Sequence, residues 1–145
     1  MSKKLFIIPA ILLAAFGVTF LSSCGKDCKF DSSDFVGQYA ISEDCSNSAP
    51  ASYNITVTTG ASETDIKIAN FWNTFGAAVN ATIDCENVSI SRQDPDNDGY
   101  FIEGSGSIDK SDGITTLTLT YTVTDETDPS NILTDVCSSS IFVKL

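Results

Sequence analysis

Asp94, Asp96 and Asp98 alternate along "DPDNDG", and Gly99 turns the chain behind them. Three carboxylates at that spacing suit a hard divalent cation, as in the first half of a calcium-binding loop. The second half departs from the pattern. Loop position 12, where a bidentate glutamate belongs, falls on Ser105, and Glu103 comes two residues early. The same residues also make a good hairpin turn. Calcium therefore stands as the one cofactor the sequence suggests, against a plain turn.

Phe71, Trp72 and Phe75 form a second group, a compact aromatic set within "NFWNTF". Such a set plugs a core, gates a ligand or meets a partner. No catalytic set emerges. The chain has no histidine, which removes the commonest general base and the commonest metal ligand. No serine sits in G-x-S-x-G. Carboxylate pairs such as Asp125 with Glu126, or Asp84 with Glu86, fall in turns. The expectation is a protein that is not an enzyme.

Five cysteines and the start of the chain bear on address. Lys3 and Lys4 precede an apolar run from Leu5 to Leu21, interrupted by Pro9 and Gly17. A basic start, an apolar stretch and a small-residue junction mark a secretory signal. The run is short for a permanent span, which wants about 20 apolar residues. Its junction, Leu21-Ser22-Ser23-Cys24, resembles the lipobox of bacterial lipoproteins. That resemblance implies removal of residues 1–23 and acylation of Cys24, with more than one acyl chain giving a stable anchor. Gly25, rather than aspartate, follows the cysteine, and this implies the outer membrane.

The mature chain would keep six basic against all 19 acidic residues, a formal charge of −13. That balance argues against nucleic acid, which needs a basic footprint. With Cys24 acylated, Cys28, Cys45, Cys85 and Cys137 remain, and outside the cytoplasm four cysteines read as two disulfides.

The elements that must position these residues alternate with period two. "GQYAISE", "YNITVTT", "TDIKIAN", "AVNATID", "NVSIS", "YFIEGSGS", "TLTLTYTVT" and "VCSSSIFVKL" give eight strands. Short connectors rich in Gly, Asn, Asp, Ser and Pro leave no room for crossover helices, so neighbours pair antiparallel. The fold expected is all-β: an eight-stranded antiparallel up-and-down barrel over residues 35–145, behind a tether at 24–34. A two-sheet β-sandwich is the rival. Phe35-Val36-Gly37-Gln38-Tyr39 resembles the G-x-W entry of lipocalin-like lipoproteins, with Tyr39 in place of tryptophan. The resemblance implies that Lys144 packs across that ring and that the barrel binds a small apolar ligand. A protein partner at the loops is the alternative.

A meander constrains the disulfides. Connectors alternate between an upper end and a lower end, where the first strand begins. Cys45 and Cys137 are then both upper, on neighbouring strands, while Cys28 and Cys85 are both lower. Any other pairing spans roughly 20 Å of strand, against the ~7 Å a disulfide allows. Closing the long Cys45–Cys137 loop would stabilise by about 4 kcal/mol in the chain-entropy model. The lipid would leave from the lower end, so the upper loops would face away from the membrane.

Overall fold

The computed structural model describes residues 27–145. The eight strands are β1 (Gly37–Glu43), β2 (Ala51–Thr59), β3 (Asp65–Ala69), β4 (Val79–Asp84), β5 (Asn87–Gln93), β6 (Tyr100–Ser111), β7 (Ile114–Asp125) and β8 (Leu133–Lys144). They form one closed barrel in sequence order, every neighbour antiparallel. Closure runs through β1 and β8, with Tyr39 opposite Lys144 and Ser42 opposite Ile141. A closed sheet leaves no edge strand open to another chain. The sandwich is not formed. The expected signal peptide and the anchor, Cys24, lie outside the described residues.

Period-two alternation decides what lies inside. Tyr39 and Ile41 of β1, Ile55 and Val57 of β2, and Leu117, Leu119, Tyr121 and Val123 of β7 all point inward and are buried. β6 supplies the opposite of bulk. Gly104 and Gly106 face Tyr121 and Leu119 across the pair. A Cβ on Gly106 would collide with the Thr118 carbonyl oxygen and stand 2.6 Å from Leu119 Cδ2, so only hydrogen fits against β7 at this position.

Both disulfides join the partners that the meander requires. Cys28 is bonded to Cys85 at the lower end and Cys45 to Cys137 at the upper end.

The expected tether is too long, and its end belongs to the folded body. Cys28 is held by its disulfide, and Phe30 is buried. A short helix, α1 (Ser32–Phe35), is closed by a capping box between Asp31 and Asp34. It satisfies backbone N–H groups that a helix start leaves unpaired. Phe35 then fills the lower mouth, and its carbonyl accepts from the Tyr39 hydroxyl at 2.8 Å. The polar composition of this stretch concealed the buried Phe30, which needs cover.

Lys144 lies against Tyr39, its ammonium 6.0 Å from the ring centroid, and donates to the Asp34 carbonyl at 2.7 Å. Burial and the Asp34 charge push the Tyr39 phenol up to about 12. Gly37 makes room for this latch. Its φ is +149°, and a Cβ there would stand 2.7 Å from Lys144 Cε. Gly37→Ala therefore strains the backbone and displaces Lys144. We expect a loss of about 1–3 kcal/mol, measured by urea unfolding. In a double-mutant cycle with Lys144→Ala the two losses should be less than additive, because they break the same contact. Full additivity would refute the latch.

Candidate functional site

The upper end gathers the two groups singled out in the sequence but gives their members different tasks. Phe71 is fully buried, edge-on to Tyr121 at 4.8 Å between ring centroids and 6.1 Å from Phe142. Phe75 is buried as well. These two side chains are the plug. Trp72 is only half-buried and turns outward, 6.1 Å from the Phe75 ring.

The backbone here is unusual. Asn70, Trp72 and Asn73 have φ of 60°, 54° and 50°. Asparagine tolerates the left-handed region; a bulky aromatic side chain does so rarely. Trp72 is held there by its neighbours: the buried Phe71 ring anchors the short 3₁₀ turn from Phe71 to Asn73, and Asn70 donates to the Asn54 carbonyl at 2.8 Å.

The aspartates of "DPDNDG" do not converge on a common point. Asp96 accepts from the N–H groups of Gly76 and Ala77, at 2.8 and 2.6 Å. Asp94 accepts from the N–H groups of Asp98 and Gly99 within its own turn, and Asp98 accepts from Tyr100 N–H. These carboxylates tie backbone together: Asp94 and Asp98 shape the β5–β6 turn, and Asp96 clamps it to the loop before β4. Among the described residues, the only set of three potential ligand atoms lying close together belongs to Glu43, Cys45 and Cys137. Both sulfurs of that set are spent in one disulfide, so it offers no thiolate to a metal.

Other clamps complete the rim. The Asp135 carboxylate accepts from Asn47 N–H at 2.8 Å and from the Ser46 hydroxyl at 3.2 Å. Together with the Cys45–Cys137 bond, it fastens the β1–β2 loop to β8. Arg92 donates to Glu126 at 2.6 Å, and its guanidinium lies 3.9 Å over the Phe101 ring. Glu126 N–H donates to the Gly99 carbonyl at 2.9 Å, joining the β7–β8 loop to the β5–β6 loop.

Between these loops lies a concavity of about 390 Å³. Trp72, Tyr100, Val123 and Leu133 give it an apolar lining, Asp125 and Asp135 two carboxylates, and Asn47 and Ser48 polar groups. The hydroxyl and N–H of Thr127 hold Asp125 below the ordinary carboxylate range, so it is ionised at neutral pH. Its charge in turn pushes the Tyr100 phenol up. The four upper loops carry Asp44, Asp94, Asp96, Asp98, Glu126 and Asp128 and no lysine or arginine. The field at this mouth is negative, and the concavity suits an apolar group bearing positive charge.

Beneath the mouth, alternation carries Glu43 inward, where it is buried. The Tyr121 hydroxyl donates to its carboxylate. The Tyr53 hydroxyl is buried in the same region without a hydrogen bond of ordinary geometry. Burial first, and then these neighbours, pushes both phenols above their usual value. Glu43 closes the "GQYAISE" stretch and was given no role from sequence, although its parity with Tyr39 and Ile41 marks it as inward. No known protein-family model matches the chain, and no curated protein matches it in sequence.

Two predictions follow from the clamps. Asp96→Asn should lower stability by about 1–2 kcal/mol, since charge-assisted bonds to two N–H groups are weakened; thermal unfolding measures this. The second concerns acid. Burial alone would raise the Asp135 carboxyl, but hydrogen bonds from Ser48, Asn47, Ser46 and Val136 outweigh it and hold it below its ordinary 3.8. Its stabilisation is then complete above that ordinary value and is lost as pH falls through the lower folded value. Asp135→Asn should flatten the acid limb of the stability–pH curve; an unchanged limb would remove Asp135 from the account.

Proposed function

We propose that this chain is a non-enzymatic, membrane-anchored binding module, a lipocalin-like lipoprotein that docks a protein partner through the loops distal to its anchor. One observation carries the reading: the lumen is filled. Tyr39, Tyr121, Phe35, Phe71 and Phe142 are all essentially without solvent contact inside the barrel. An eight-stranded barrel leaves space for packed side chains or for one small ligand, and here side chains occupy the space. That weighs against the small apolar ligand that lipocalin resemblance implies.

Recognition is then left to the upper rim. The clamped loops are pre-ordered, so a partner meets a rigid surface and little conformational freedom is lost on docking. The half-buried Trp72 beside Asp125 suits a basic side chain with an apolar stem, an arginine or lysine of the partner. Acylated Cys24, four residues before the lower disulfide, would hold the lower end at the outer membrane and aim this rim away from it.

Trp72 is the sole tryptophan of the chain, which makes the test direct. Arginine-containing peptides should change its fluorescence saturably, with the affinity falling several-fold in Asp125→Asn. Matched acidic peptides should leave it unchanged. Saturable uptake of an apolar fluorescent fatty-acid probe, with no response to basic peptides, would instead establish the small-ligand reading. The anchor has a separate test. Cys24→Ala should abolish palmitate labelling and release the chain from the membrane pellet or leave it uncleaved.

A further inference from the structure

The outer wall built by β7, β8, β1 and β2 carries no charged side chain. Outward positions of β7 from Thr116 to Thr124 are all threonine. Those of β2 are Ser52, Asn54, Thr56 and Thr58. β1 shows Gln38, Ala40 and Ser42, and β8 shows Val136, Ile141 and Val143. By contrast, the wall from β3 to β6 exposes Lys67, Asp84, Arg92, Glu103, Asp109 and Lys110. On a chain of formal charge −11, an uncharged wall four strands wide is a marked asymmetry.

The lower half of this wall is also apolar. Ile114, Ile141, Val143 and Leu145 are 55%, 47%, 38% and 71% exposed. The register makes them neighbours. Val143 stands between Ala40 and Thr116, and Ile141 between Ser42 and Thr118. Leu145 N–H donates to the Gln38 carbonyl at 2.9 Å, which carries the patch to the lower end. β8 is thus apolar on both faces there, with Phe142 inside.

We infer that this wall is a self-association surface, which pairs two copies of the chain about a two-fold axis. Charge selects the occupant. An approach through the acidic upper rims sets like charges against one another, and one through the β3–β6 walls must desolvate many charged side chains; both are unfavourable. A basic partner is drawn instead to the acidic upper mouth. The uncharged wall brings in only threonine, serine, alanine and branched aliphatic groups, whose burial is cheap. Four strands about 4.8 Å apart, over about ten residues at ~3.3 Å, give roughly 600 Å² per copy. That lies at the low end for specific pairing, so the dimer is weak and reversible.

The position of the patch also fixes the symmetry. An isologous contact puts the same patch on both sides. With the two-fold axis parallel to the barrel axis, Ile141 and Val143 of one copy meet those of the other. With the barrels antiparallel and fully overlapped, the same side chains would face mostly threonines of the upper half, with Val136 as the one aliphatic side chain among the outward strand positions there. The barrels therefore lie side by side, lower ends together, and both upper rims stay open.

Sedimentation velocity of the full chain in mild detergent tests this over a wide concentration range. The wild type should shift from monomer to dimer. Added salt should favour the dimer, since it screens repulsion between the remaining charges. Ile141→Glu with Val143→Glu should weaken association by roughly tenfold or more, because like charges then face one another. Ser89→Glu, on the opposite wall, should leave it unchanged. Non-reducing peptide maps that show both native disulfides keep the comparison among folded proteins. Monomer at every concentration, or equal association in the double variant, overturns the inference. So does a monomer whose wild type, but not the double variant, floats with phosphatidylethanolamine vesicles, since the wall then belongs to lipid.

Discussion

Joining β8 to β1 is the constraint on which the rest of the molecule depends. The other seven pairings are local, each made by strands that follow one another along the chain. This one brings together segments about a hundred residues apart, and its ladder runs only from Tyr39 to Ser42 against Lys144 to Ile141. A long loop must be closed before those few pairs repay it. The chain reinforces both ends of the seam. At the upper end stand the Cys45–Cys137 bond and the hydrogen bonds of Asp135 to the β1–β2 loop. At the lower end Lys144 crosses Tyr39 to reach the Asp34 carbonyl. Between them Tyr39, Tyr121, Phe71 and Phe142 fill the lumen that closure creates.

The acidic composition makes sense against that frame. A formal charge of −11 repels itself and works against compactness. The sequence spends several of its carboxylates as acceptors for backbone N–H groups in loops, where an unpaired donor is costly. Asp31, Asp94, Asp96, Asp125, Asp128 and Asp135 all do this. At Asp31, Asp125, Asp128 and Asp135 such bonds favour the ionised form, so the charge and the loop order reinforce one another there.

The barrel was legible in the sequence because its determinant is periodic. "TLTLTYTVT" states which face is buried without reference to any other strand. Short connectors then fix antiparallel neighbours, and the parity of those connectors fixes which cysteines meet. The clamps were not legible, because they are relations between loops distant in sequence. Asp96 lies 20 residues from Gly76, and nothing in "DPDNDG" points to the backbone of that distant loop. Glu43 is a nearer miss. Its inward parity was on the page, but a carboxylate followed by aspartate and cysteine reads as solvent-facing unless Tyr121 is known to stand opposite. Phe30 was obscured in the same way by the charges around it.

A filled lumen changes what an eight-stranded barrel can be for. When the interior is empty, the loops at the mouth regulate access to it. When the interior is packed, the same loops have nothing to guard, and rigidity there has another use. Trp72 illustrates this. Holding it at a φ of 54° costs conformational energy, while its neighbour Phe71 is the residue fully buried in the core. Trp72 packs on one side against the core through Phe75 and on the other lines the concavity, so a small residue there would remove much of that apolar lining. A strained, half-buried aromatic residue beside ionised Asp125 is therefore the largest apolar surface that the rim presents.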